Sequence, residues 1–297
     1  MDPLYVVGAI LLSSTTNIFG GFYNRACKGA KSSSQFYNCI QLLCVCFCWG
    51  IAFLIDRNFN VAVLPYSLGF SAGYCVAVFG VINALRTGPV MLTTLFTQMS
   101  LVVVSVWGFI FWSAPVTPFV IIGLVLTVIA VFLCLYTGKP KADASNRVKI
   151  TPKWIMFALM AFGGNSICSI FQRTQQRVFV DENGKGQFAA QLMFFATLIG
   201  AVAFLIIYLC SDRSDQRVFA KKAYIPMIAG VGNMIMNVLV ILLATSSLPS
   251  TMVYLPMTIF PLIIVSLFSF IVFKERMRVS QWIGVGTGII SALLLSL

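Results

Sequence analysis

The chain has 297 residues, 59% of them hydrophobic and only 9% charged, against roughly 25% charged in an average soluble domain. Apolar windows of about 20 residues, the length that crosses a bilayer, take up nearly all of it, which excludes a soluble catalytic domain. The net charge of +12 would suit a nucleic-acid partner in a soluble protein, but here the basic residues gather in the loops between apolar windows, so the expected partner is the lipid bilayer and no nucleic acid.

Ten windows follow one another at 3–23, 33–55, 65–86, 89–111, 117–137, 153–174, 187–210, 224–246, 249–273 and 280–297. They predict an all-α integral membrane protein of ten transmembrane helices. The first opens with Asp2 and Pro3 and runs into Arg25 and Lys28, with neither a basic leading region nor a small-residue cleavage site, so it is read as a retained helix rather than a signal peptide. In the second, Cys44 and Cys48 share a helical face while Cys46 points away. The chain has no His, so these thiols are read as small apolar packing groups; neither a metal nor a cofactor is expected. Loops after the odd-numbered windows hold 16 of the 20 Lys and Arg, among them Arg25, Lys31, Arg86, Lys153, Lys222 and Lys274. The positive-inside rule assigns that side to the cytoplasm and both termini to the other.

The windows also repeat. Asn17-Ile18-Phe19-Gly20 through Arg25 aligns with Asn165-Ser166-Ile167-Cys168 through Arg173, 148 residues on, and Gln35-Phe36 aligns with Gln187-Phe188. Ala84 to Pro89 corresponds to Ala244 to Pro249, each Pro starting a helix, and Ile122-Gly123 to Ile283-Gly284. A duplicated unit is expected: a five-helix repeat over 1–137, a linker over 138–152 and a second repeat over 153–297. An odd number of helices per unit inserts the second copy upside down, the geometry on which alternating access around a midplane site is built.

Those matched asparagines, the Pro-initiated fourth and ninth helices, and Phe273-Lys274-Glu275-Arg276 followed by Ser280-Gln281-Trp282-Ile283-Gly284 resemble the drug/metabolite transporter superfamily, EamA-like branch. The equivalent turn of the first half, Trp112 to Pro118, has no acidic residue. The resemblance implies a monomeric or homodimeric carrier of a small-molecule substrate in a bacterial plasma or inner membrane, its cavity lined by helices 1 to 4 and 6 to 9, with helices 5 and 10 peripheral.

Polar side chains within spans face a bundle interior or a wet cavity. Nine are near mid-span: Asn17, Gln41, Tyr74, Gln98, Asn165, Asn233, Asn237, Tyr254 and Thr258. They are the candidate substrate-binding residues, with the repeat-related pair Asn17 and Asn165 foremost; the alternative is hydrogen-bonded glue between helices. Asn233 and Asn237 share one face beside Gly230 and Gly232. Tyr254 and Thr258 flank Pro256, which frees a backbone carbonyl. Arg25, Arg86 and Arg173 end helices, where Arg commonly reaches for headgroups. Glu275 is expected to pair locally with Lys274 or Arg276. The spacings Gly69 to Gly73 and Gly284 to Gly288 let helices approach closely.

All eight acidic residues, Asp2, Asp56, Asp143, Asp181, Glu182, Asp212, Asp215 and Glu275, fall in loops or at helix ends. Proton relays need an ionisable group inside the membrane, so proton-coupled multidrug antiport is disfavoured. Catalysis by His or paired carboxylates has no candidates, so no enzyme is expected. What is left is a carrier of small neutral or zwitterionic metabolites, such as amino acids, acting as exporter, exchanger or facilitator. A drug exporter of the same fold and a non-transporting scaffold or receptor are the alternatives.

Overall fold

The computed structural model describes residues 2–112, 117–135, 150–182, 186–212, 214–244, 250–275 and 279–295. Their regular elements are helices: α1 (Asp2–Ala26), α2 (Ser33–Asp56), α3 (Leu64–Thr87), α4 (Val90–Gln98), α5 (Ser100–Phe111), α6 (Pro118–Leu135), α7 (Pro152–Val178), α8 (Ala189–Leu209), the short α9 (Gln216–Ala220), α10 (Tyr224–Ala244), α11 (Ser250–Ile271) and α12 (Val279–Leu295), with an isolated antiparallel bridge between Val180 and Gly186. A 3-10 turn at Val61–Val63 precedes α3. Local chemistry sets several boundaries: Thr151 caps α7 by accepting from the Trp154 amide, with Pro152 in the first turn, where a missing N–H costs nothing. Six segments are long and apolar enough to cross a membrane: Leu4–Ala26, Ser33–Asp56, Val61–Thr87, Val90–Phe111, Pro152–Val178 and Ala189–Leu209. Pro118–Ala130, Tyr224–Val240 and Ile259–Ile271 are apolar but shorter. The protein is therefore an all-helical, multi-pass integral membrane protein.

Outward-facing apolar side chains coat the bundle, as a lipid solvent requires. On α6 alone Phe119, Ile121, Ile122, Val125, Val128 and Phe132 are at least half exposed. Inside that coat the helices close a ring in the order α1, α10, α2, α8, α3, α7, the α4–α5 pair and α11, which returns to α1. The α6 and α12 helices stand outside the ring, packed chiefly on each other, as the resemblance implied for the fifth and tenth helices. Buried hydroxyls pin them: Ser291 donates to the Gly123 carbonyl at 2.7 Å and shares a short hydrogen bond with Thr127.

Glycine makes the tightest crossing. Between α3 and α7, Gly73 and Ala77 face Gly164, and Gly80 faces Ala161; a Cβ on Gly80 would lie 2.5 Å from the Ala161 nitrogen. Small residues let two backbones touch, replacing the hydrophobic drive that lipid removes. Gly69 extends the contact along Phe171, and Gly288 of α12 receives Leu95 of α4, so both glycine spacings seen in the sequence serve packing within the chain. Among the thiols, Cys39 and Cys46 lie in the buried core with Leu42 and Phe204.

One end of the bundle carries Arg25, Lys31, Arg86, Lys153, Lys222 and Lys274; it is called the basic end below. Lys31 ties its first loop to the stretch before α9, donating through Nζ to Asp212 at 3.2 Å and through its backbone N–H to Asp215 at 2.9 Å. The backbone N–H of Ser214 and the ammonium of Lys31 hold the Asp212 carboxyl below its usual range. At the opposite end Gln191 clamps Asn60, accepting from its N–H at 2.9 Å and donating to its carbonyl at 2.8 Å.

Candidate functional site

Helical periodicity decides which polar residues look into the ring. On α10 the exposed side chains Val231, Ile235 and Leu242 define the lipid stripe, and Asn233 and Asn237 occupy the opposite face. The Asn237 amide donates to both the Asn233 carbonyl, 2.8 Å, and its side-chain oxygen, 3.1 Å. On α7 the lipid stripe is Met156, Leu159 and Ile167; half-buried Asn165 lies on the other side, beside Cys168, which faces Phe70 of α3. On α1 the stripe is Leu4, Val7 and Leu11. Asn17 shares the face of Gly20 and Gly21, which meet Leu85 of α3 and Val90 of α4 respectively, and is also half-buried. The structure thus turns Asn17, Asn165, Asn233 and Asn237 inward from three helices of the ring.

Gln98 lies at a feature that the sequence windows missed. The span from Val90 to Phe111 is not one helix: α4 ends at Gln98, Met99 forms a turn, and α5 restarts at Ser100. The hydroxyls of Thr93, Thr94 and Thr97 each donate to the carbonyl four residues earlier, at 2.8, 3.0 and 2.9 Å, a pattern that bends helices. Next to Asn165, the Ser166 hydroxyl donates to the Phe162 carbonyl of its own helix at 2.8 Å and lies 3.4 Å from the Ser100 carbonyl. The interruption is a local bend: Met99 keeps a right-handed helical backbone, and its N–H bonds the Leu95 carbonyl at 2.9 Å. The threonine run was the available sequence signal.

Other candidates are placed differently. Gln41 is buried, and its carbonyl lies against Gly230, where a Cβ would come within 2.9 Å; it sits in the α2–α10 contact. Tyr74 packs beside Phe70, ring centroids 5.7 Å apart, and against the cluster of Val45, Trp49 and Met193. Tyr254 and Thr258 belong to α11, but their side chains lie outside the described residues. An open recess of about 500 Å³ lies at the end away from the basic residues, between α2, α8 and α10, with Trp49, Asp56, Gln187 and Val238 in its wall.

Glu275 pairs with a residue far away in the sequence, while Arg276, one of the two local partners expected for it, lies outside the described residues. It bonds Arg25 at 3.0 Å, accepts from the Val90 N–H at 3.1 Å and from the Ser269 hydroxyl, so it caps α4 while holding the end of α1. Arg25 also donates to the Phe273 carbonyl at 3.1 Å and lies 3.9 Å above that ring. Burial pushes the Glu275 carboxyl above its usual range, outweighing the lowering effects of Ser269, Val90 and Arg25. No local pattern announces a contact between residues 250 positions apart. Arg86 donates to the Ala30 carbonyl at 3.1 Å, and Arg177 lies 4.8 Å over the Trp112 ring.

The inward groups are amides and hydroxyls, each able to donate and accept. Such a set can hold neutral or zwitterionic solutes without a counter-charge.

Residues 185–297 match the model of the EamA-like transporter family, a domain of the drug/metabolite transporter superfamily. No curated protein matches the sequence. Twenty-five solved chains do so by structure; one, described only as a crystal structure of a protein, is 13% identical with a TM-score of 0.57 over 99% of this chain and 95% of its own. That likeness is one of fold.

Proposed function

Starting from a C-terminal part, residues 185–297, that belongs to the EamA-like transporter family, we propose that the whole chain is a carrier of small neutral or zwitterionic metabolites that works by alternating access. In this reading ten spans form two inverted five-helix repeats, α1 to α6 and α7 to α12, with the α4–α5 pair counting as one span and α9 lying outside the membrane. The repeats exchange α1 with α7, α2 with α8, α3 with α10, α4–α5 with α11 and α6 with α12. The observation that carries the reading is that helix pairing survives this exchange. The α3–α7 contact becomes α10–α1, α2–α10 becomes α8–α3, and α1–α11 becomes α7 with α4–α5, while α2–α8, α4–α11 and α6–α12 map onto themselves; all of these contacts occur.

Under the same exchange Asn17 and Asn165 take symmetric places on the inner faces of α1 and α7. They are the proposed substrate amides, with Asn233, Asn237 and Gln98 around them. Among the described residues the acidic ones lie at helix ends and in loops, which favours neutral or zwitterionic solutes over cationic drugs. The basic end is assigned to the cytoplasm by its charge.

The test is counterflow in proteoliposomes loaded with amino acids and related zwitterions. Saturable exchange in the wild type, and at least tenfold slower exchange in Asn17→Ala and Asn165→Ala at normal folded yield, are expected. No accelerated exchange for any solute of the panel would remove the carrier reading.

A further inference from the structure

Among the described residues, one end of the ring carries contacts beyond those that the exchange of halves preserves. At the basic end α1 packs on α3 and α4, and α2 on α3; among the described residues the counterpart pairs, α7 with α10 and α11, and α8 with α10, make no comparable contact. Side chains fill that end. Gly20 receives Leu85 and Ile82, Gly21 receives Phe273 and Val90, and Gly88 receives Trp154; Trp154 and Tyr23 are fully buried. Over this plug lies the Arg25–Glu275 pair, joining the end of α1 to the start of α4 and to the turn after α11.

The α1 and α2 helices that build this end carry buried polar atoms without a hydrogen-bond partner among the described residues. Among them are the Tyr37 hydroxyl, the Asn24 side-chain oxygen and both polar atoms of the Asn38 amide. Asn38 has no exposed surface at all, and Tyr37 is 2% exposed. Tyr37 and Asn24 both border Ile82: Gly20 meets the Tyr37 hydroxyl and the Ile82 side chain, and the Ile82 backbone carbonyl accepts from the Asn24 amide at 3.0 Å. Buried polar groups are nearly always paired, so these exceptions ask for an explanation. Opening this end would admit water and satisfy all of them.

We propose that the basic end is the shut gate of this carrier, latched by Arg25 and Glu275, and that Asn24, Tyr37 and Asn38 line the passage formed when the gate opens. The shut state carries unsatisfied polar groups that the open state hydrates, which lowers the cost of moving between two packings in a transport cycle. The proposal rests on the carrier reading but concerns residues that reading does not use.

Hydrogen exchange of the full-length protein in lipid nanodiscs, with thermal midpoints and counterflow in parallel, tests it. Glu275→Ala should raise exchange about fivefold or more in the end of α1 and the starts of α2 and α4, leaving the Asn60 loop at the other end unchanged or slower. Tyr37→Phe, which deletes only the orphaned hydroxyl, should raise the thermal midpoint, slow exchange at the same peptides and slow counterflow; Asn38→Leu should do the same more strongly. A lower midpoint in Tyr37→Phe, or Glu275→Ala loosening both ends alike or neither, would overturn the gate. If the exchange shifts appear but no solute is transported by the wild type, the carrier reading fails while the latch stands. Transport without those shifts removes the gate alone.

Discussion

Two adjacent glycines on α7 offer a controlled perturbation. A Cβ on Gly164 would sit 2.4 Å from the Ala77 nitrogen and 2.6 Å from the Gly73 carbonyl oxygen, whereas one on Gly163 would meet nothing within 4 Å. Both obstacles at Gly164 are backbone, so no rotamer change relieves them, and α3 and α7 must separate by about 1 Å to restore ordinary contact in a close-packed interior. Overpacking of this kind costs about 1 to 3 kcal/mol. Each variant also gains the same helix-propensity advantage of Ala over Gly, about 1 kcal/mol, so their difference isolates the clash. At about 2 to 4 °C per kcal/mol, Gly164→Ala should melt about 2 to 12 °C below Gly163→Ala in a detergent thermal-shift assay. Equal midpoints would show that α3 and α7 do not touch as described, and the ring built on that contact would fail with them.

The asparagine and gate substitutions already described make two further predictions. A fourth concerns pH. Glu275 has a raised pKa through burial, and a group raised in the folded state stabilises that state below its exposed pKa and loses the effect as pH rises through the raised value. Relative to non-titrating Glu275→Gln, the wild type should therefore be most stable near the ordinary Glu pKa of about 4.3 and lose that advantage at higher pH; an advantage growing with pH would mean that Arg25, the charged group facing it, outweighs burial. Neighbouring Lys274 is exposed. A fifth concerns the clamp at the opposite end: Gln191→Leu leaves the Asn60 N–H and carbonyl without the two bonds it now makes, at about 1 to 3 kcal/mol, seen as faster hydrogen exchange over 57–63. Unchanged exchange there would show that the clamp contributes nothing.

The membrane class was readable from composition because lipid leaves the chain few options: apolar runs of spanning length must be helices. The inward placement of Asn165 and Asn233 was equally readable, since a 3.6-residue period separates them from the Ile167 and Ile235 stripes. Gln41 shows what that reasoning leaves out: its backbone carbonyl lies against Gly230 of α10, a contact that only the placement of α10 reveals. The bend at Met99 was half visible in the threonines before it.

By itself, then, the sequence determined that this chain crosses a membrane many times, which side is basic, and which faces are polar, because all three follow from local composition and helical period. Tertiary structure alone decided that Glu275 reaches Arg25, that Tyr37 and Asn38 are buried without partners among the described residues, and that Trp154 fills the space beside Gly88. Those depend on which helices meet across hundreds of residues, and contact between distant segments is set by packing geometry that no local pattern encodes.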